Sequence, residues 1–197
     1  MKRTIGHVKS ASTPFIRKSG LIPAVGVLFL VGLCVLFYGC PNKNVKLEKW
    51  PFESRAVKLH YIADDNLNYY DGQPHTLLMC VYQLSDPNAF NELRMDRGGI
   101  QQLLECKRFD KSVASTDKVI VHPGDEETIV YDRAEDARFV GVAAGYYELW
   151  PDHVTRLVVV PVKVEVTGRF IRKKTAMPDK LELGLYLGPA EIQQILE

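Results

Sequence analysis

Five histidines and four cysteines are the residues best suited to carry chemistry in this chain of 197 residues. His7, His60, His75, His122 and His153 are scattered, and none stands at ligand spacing from another. Each therefore reads first as a solvated or hydrogen-bonded side chain rather than a metal ligand. Acids gather at Asp64-Asp65 and at Asp125-Glu126-Glu127. They sit among turn residues, where neighbouring carboxylates are ordinarily solvated, and they do not follow the ligand order of a calcium loop. A glycine-rich phosphate loop, a serine nucleophile elbow and a histidine-glutamate metal helix are all missing from the sequence. No catalytic residue, metal ligand or cofactor is assigned.

The cysteines are more informative. Lys2, Arg3, Lys9, Arg17 and Lys18 precede an apolar block from Leu21 to Tyr38, and the first acidic residue is Glu48. A basic leader before an apolar block is the layout of an export signal, with its positive end held in the cytoplasm. The block is long for a signal core and just sufficient for a spanning helix, so an uncleaved anchor stands beside the signal as an alternative. Both put the rest of the chain outside the cytoplasm. Phe37-Tyr38-Gly39-Cys40 matches a lipoprotein processing site at Gly39 and Cys40, where the thiol is acylated and becomes the new N-terminus; Phe37 and Tyr38 are bulkier than that pattern. Cys34 follows a leucine and reads as a packing residue. After Cys40 the segment Pro41 to Ser54 is polar, with Pro41 and Pro51 and no sustained period, as in a tether.

An exported compartment permits disulfides. Cys80 falls in an apolar strand segment and Cys106 closes a helical insertion, so a bridge would staple the insertion to a sheet. Two buried free thiols are the alternative. The net charge of +1 gives no footing for nucleic acid.

The elements that must position these residues read mainly as strands. "VKLHYIA" sets Val57, Leu59 and Tyr61 on one face, and "KLELGLYLG" does the same with Leu181, Leu183, Leu185 and Leu187. "TLLMCVYQL" and "RLVVVPVKVEV" are apolar on both faces, as strands covered on both sides would be, with Pro161 marking an edge or bulge in the second. "KVIVH" and "ETIVYDR" are joined by a Pro-Gly turn at 122–126. "ARFVGVAAGYYEL" is a longer strand in which Gly141 and Gly145 suggest close backbone approach. Ser85-Asp86-Pro87 opens a short helix, and Gly98-Gly99 separates it from a second. "AEIQQILE" spaces Ile192, Ile195 and Leu196 as a short C-terminal helix. This pattern predicts an all-β two-sheet sandwich with a helical insertion.

The loop "ADDNLNYYDGQPH" between the first two strands carries Leu67, Tyr69 and Tyr70 among turn-forming residues. Tyrosines on a loop held by a rigid sandwich suit partner contact, and folding back onto the sandwich is the alternative.

Taken in order, a strand, "LN" and a glycine-containing loop, "VYQLSDPNAF", "VHPGDEETIVYD" and "ARFVGVAAGYYEL" resemble the outer-membrane lipoproteins of type VI secretion systems, the TssJ or SciN family. The resemblance spans Val57 to Leu149. It implies a transthyretin-like β-sandwich with added helical elements and no enzymatic activity. It implies residues 1–39 as a signal segment, 40–55 as a lipidated tether and 56–197 as a periplasmic domain. The acylated residue would be Cys40, with no cofactor beyond that covalent lipid, and Pro41 after it is not the aspartate tied to inner-membrane retention. The chain would then face the periplasm from the outer membrane and dock a TssM-like inner-membrane protein. The family's docking loop maps by position onto Asn66, Leu67, Asn68, Tyr69, Tyr70, Asp71 and Gly72. A transthyretin-like ligand-binding or hydrolytic domain tethered to the envelope is the competing expectation, and it requires His60, His75 and His122 to converge.

Overall fold

The computed structural model describes residues 49–167 and 173–196. Strands β1 (Glu53–Ala63) and β2 (Leu77–Leu84) are followed by helices α1 (Asn88–Leu93) and α2 (Arg97–Leu103). Then come β3 (Val113–Val121), β4 (Glu126–Arg133), β5 (Phe139–Ala144), α3 (Pro151–Val154), β6 (Thr155–Val159), β7 (Val162–Thr167), β8 (Lys173–Pro178), β9 (Leu181–Leu187) and β10 (Ile192–Leu196). One sheet has the order β10-β9-β1-β4 and the other β3-β2-β5-β6, while β7 and β8 pair only with each other.

The period of two in β1 and β9 sends Val57, Leu59, Tyr61, Leu181, Leu183, Leu185 and Leu187 inward. There they meet Leu77, Met79 and Val81 of β2 and Val140, Val142 and Ala144 of β5, forming the core between the sheets. β2 is apolar on its other face too. Cys80, Tyr82 and Leu84 pack there with Phe90 and Leu103 of α1 and α2. The insertion thus supplies the second cover that the sequence of β2 demands. Gly141 lies beneath the Phe90 ring, and a Cβ there would come within 2.8 Å of it. A disulfide joins Cys80 to Cys106, with Cα atoms 5.2 Å apart.

The strands run between two ends of the sandwich. β1 runs parallel to β9 and antiparallel to β4. Its start, at Glu53, therefore lies with Arg133 at the end of β4. At its finish the Ala63 amide donates to the Asp125 carbonyl and the next amide, of Asp64, to the Leu187 carbonyl.

Several expectations are corrected. The C-terminal segment is a strand, β10, paired antiparallel with β9, and not a helix. A segment this short gains no helix stability alone, whereas the open edge of β9 offers it a ladder. The segment "RLVVVPVKVEV" divides at Pro161 into β6 and β7, and it is not covered on both sides: Val159, Val162, Val164 and Val166 are all exposed. The turn after β3 carries the chain across to the other sheet, so β3 and β4 do not pair. β5 stops at Ala144, which leaves Tyr146 and Tyr147 outside the strand. The break between α1 and α2 falls at Met95, and Asp96 caps α2 by accepting from the Gly99 amide at 3.0 Å. Gly99 allows that turn to close against the Leu93 carbonyl.

Of the segment expected as a tether, the end belongs to the domain: Trp50 is buried and β1 begins at Glu53. Both Arg133 and Arg138 stand 6.0 Å from the Trp50 ring centroid. Cys34, Cys40, Phe37-Tyr38 and the apolar block lie outside the described residues. Among those described, no helix is long and apolar enough to cross a membrane.

Candidate functional site

The loop from Asp64 to Thr76 closes the end of the sandwich where β1 finishes, and its first residue is its organiser. The Asp64 carboxylate accepts from the Asn66 amide at 2.7 Å and from the Tyr186 hydroxyl at 2.5 Å. Its carbonyl accepts from the amides of Leu67 and Gly124. The Tyr186 hydrogen bond, with the Asn66 amide second, holds the Asp64 carboxyl below its ordinary range. The same bond pushes the Tyr186 phenol up.

Leu67 is fully buried and plugs the top of the core. This corrects its assignment as a contact residue: an apolar side chain over an open sandwich end gains more from burial than from solvent. Asn68 is buried as well, in the left-handed region at φ 48°. Its side chain donates to the Thr76 carbonyl at 3.4 Å and accepts from the Tyr147 amide at 2.8 Å. It ties the loop to the segment after β5. Leu67 and Asn68 are supports, then, and the surface belongs to their neighbours.

Beyond Asn68 the Tyr69 amide donates to the Pro189 carbonyl at 2.7 Å. Tyr70 and Gln73 exchange backbone hydrogen bonds of 3.0 and 3.2 Å around Asp71 and Gly72, both at positive φ. This is the geometry of a two-residue hairpin turn, for which Asp-Gly is a preferred pair. The turn holds the Tyr70 ring flat on Tyr147, with centroids 3.4 Å apart and planes 17° off parallel. Hydrogen bonding to the Tyr70 hydroxyl pushes the Tyr147 phenol up. Tyr146, beside it, is buried and donates to the Glu191 carbonyl at 2.9 Å.

The result is a shelf of exposed rings, Tyr69 at 48%, Tyr70 at 42% and Tyr147 at 52%, and Trp150, three residues further along the chain, is exposed at 61%. A cavity of about 180 Å³ opens among Tyr69, Tyr70, Tyr147, Glu148, Pro189 and Ala190. Of the expected loop residues, Asn66, Tyr69, Tyr70, Asp71 and Gly72 are exposed. Tyr147, Trp150 and Pro189 were not anticipated. The signal for the first two lay in "GYYELWP", where glycine and proline bracket three aromatic residues.

The histidines do not gather here. His60 bonds Thr128, His75 bonds the Tyr70 carbonyl, and His122 bonds Thr76. His153 pairs with Glu191. Among the described residues no group of three His, Cys, Asp or Glu side chains is arranged to hold a metal ion. The shelf offers apolar faces, hydroxyl rims and a backbone fixed by hydrogen bonds beneath.

The family model for type VI secretion lipoproteins, covering VasD, EvfM, TssJ and VC_A0113, matches residues 55–178. None of the curated proteins matches the sequence significantly. Among solved structures, the T6SS lipoprotein TssJ1 from Pseudomonas aeruginosa is 23% identical with a TM-score of 0.52, covering 75% of this chain and 98% of that one. The Serratia marcescens protein Lip, described as a membrane-bound component of the type VI secretion system, is 20% identical with a TM-score of 0.53, over 72% of this chain and 96% of its own. A chain in the structure described as the T6SS protein TssM C-terminal domain (869-1107) from EAEC is 19% identical with a TM-score of 0.51, over 72% and 97%. At these identities the three likenesses speak for the sandwich fold.

Proposed function

The chain belongs to the type VI secretion lipoprotein family, and on that premise we propose that it is a lipid-anchored, non-catalytic periplasmic scaffold of a type VI secretion membrane complex. Acylated at Cys40, it is held in the outer membrane and docks a TssM-like inner-membrane protein through the aromatic shelf.

The observation that carries this reading is the opposition of two ends. The tether joins the domain at Trp50 to Glu53, where Arg133 receives it, and the shelf sits past Ala63 at the other end of β1. The strand's 11 residues separate the two by roughly 33 Å. The stretch from Cys40 to Lys49 adds at most about 33 Å when extended. A domain hung by one end thus presents its contact surface away from the membrane that holds it. A chain of this fold in a structure named for the TssM C-terminal domain supports the choice of partner. A structural role is supported by the four described histidines, each engaged with its own neighbour. The tethered ligand-binding or hydrolytic alternative called for His60, His75 and His122 to converge, and their separate partners favour the scaffold reading over it.

Two measurements test it. Globomycin-sensitive processing and palmitate labelling are expected at Cys40; a Cys40→Ser protein that still fractionates with the outer membrane and supports secretion overturns the anchor. Pull-down of the C-terminal periplasmic region of a TssM-like protein is expected with the wild type and not with Tyr69→Ala/Tyr70→Ala. Undiminished capture by that variant moves the contact surface elsewhere.

A further inference from the structure

The cavity beside the stacked tyrosines has a chemistry of its own. Tyr69, Tyr70 and Tyr147 line it together with Glu148, Pro189 and Ala190. Aromatic faces carry negative charge density, and a cation placed over one is attracted to it. Glu148 is exposed, and among the described residues it makes no ion pair. Asp71, at the tip of the same hairpin turn, is likewise exposed and outside any such pair. Arg97 is the cation whose charge is felt at Tyr147, yet it lies beyond 4.0 Å of the Glu148 carboxylate.

We infer that this cavity receives a cationic side chain of the docking partner, an arginine by preference, with its guanidinium against the tyrosine rings and its charge met by Glu148. This rests on the docking reading above. Arginine suits it better than lysine, because a planar, weakly hydrated guanidinium stacks on a ring face and can present two N–H groups to one carboxylate. The volume of about 180 Å³ accommodates a side-chain end rather than a peptide segment or a cofactor. The walls are set in advance. The Tyr70 turn, the Asn68 link to Tyr147 and the Tyr69 amide bond to Pro189 hold them in place, so little ordering remains to be done on binding.

The test titrates the full mature lipoprotein in two ways. In the first, N-acetyl-arginine amide and N-acetyl-citrulline amide, which differ in charge but hardly in shape, are added while the backbone NMR signals of Tyr69, Tyr147 and Glu148 are followed. Shifts confined to the arginine amide, and abolished by Glu148→Lys, are expected; equal shifts with both compounds, or none, overturn the pocket. In the second, affinity for the C-terminal periplasmic region of the TssM-like protein is expected to fall about tenfold or more in Glu148→Lys and in Tyr147→Leu, with Tyr147→Phe close to wild type. Unchanged affinity in Glu148→Lys, alongside loss in Tyr69→Ala, defeats the cation and leaves docking standing. A wild-type protein that binds no TssM-like region defeats docking itself, and the arginine titration still decides the pocket. Glu148 is exposed, so an unchanged melting temperature in Glu148→Lys shows that the fold is intact.

Discussion

The Arg133 guanidinium, wholly buried at the end of β4, lies 3.0 Å from the Glu53 carboxylate at the start of β1. The same nitrogen donates to the Pro51 carbonyl at 3.0 Å, and the other terminal nitrogen reaches the Asp179 carbonyl at 3.4 Å. One side chain therefore joins the segment entering β1, the first strand and the root of the β7–β8 hairpin. Arg133→Ala leaves those acceptors without their donor. The expected loss is about 2–3 kcal/mol, below the roughly 3–5 kcal/mol for a wholly buried pair because Glu53 is 41% exposed. Chemical denaturation measures it. Arg133→Lys should not restore stability, since a single ammonium cannot reach all three partners.

The Cys80–Cys106 bridge spans 26 residues and pins the helical insertion to β2. In the chain-entropy model closing a loop of that length contributes roughly 3–4 kcal/mol. Unfolding with and without reductant should differ by about this amount. Cys80→Ala/Cys106→Ala should match the reduced wild type and lose its response to reductant. Free thiols in the mass spectrum of the exported protein, with no effect of reductant on unfolding, would show that the bridge is not used.

Gly141 and Phe90 form a packed pair across β5 and α1. A methyl group at 141 meets three ring atoms at 2.8 to 3.0 Å, and the fully buried ring has no free side to move into. Gly141→Ala should cost about 1–3 kcal/mol. In a double-mutant cycle, Phe90→Leu should cost less in the Gly141→Ala background than alone, because the smaller side chain relieves the clash. Additive costs would mean that the contact is not what restricts position 141.

Asp64 links the shelf to acid pH. Its carboxyl is held below its ordinary value by Tyr186 and by the Asn66 amide, so the folded state binds its proton more weakly than the unfolded state does. Stability from this group is complete above the unfolded value of about 3.9 and is lost as pH falls through the lower native value. Asp64→Asn should be less stable than wild type at neutral pH, and the difference should shrink below about pH 4. A gap that stays constant down to pH 2 would separate the hydrogen bond from the carboxylate's charge.

The sandwich was legible because burial on one face imposes a period of two, and β1 and β9 follow it residue by residue. β2 declared two covered faces by being apolar on both, and the structure supplies both covers. The same rule misled at β6 and β7. A run of valines looks alike whether a second layer covers it or solvent does, and Pro161 was a stronger sign of a break than of a bulge. The C-terminal segment misled for a related reason. Ile192, Ile195 and Leu196 suit a helical face, but a segment so short takes the structure of whatever edge is open beside it.

At the end of the sandwich the loop stood out in the sequence by its turn residues and tyrosines, yet its inner and outer residues could not be told apart. Leu67 and Tyr69 stand two positions apart in one polar stretch. Only the closing of the sandwich end sends the first inward and leaves the second outside. Tyr147 was hidden by distance, since nothing in sequence joins it to a loop some 80 residues earlier. The Asn68 bond to the Tyr147 amide and the ring stack are what bring them together.

By itself, the sequence determined the alternation of its strands, the turn chemistry of the Asp71-Gly72 hairpin and the family pattern. These are local properties, written in neighbouring residues. The tertiary structure alone decided which strands share a sheet, which tyrosines form the shelf, and that the start of β1 and the shelf lie at opposite ends. Those depend on contacts between residues far apart along the chain, whose energies exist only once both sheets have closed on a common core.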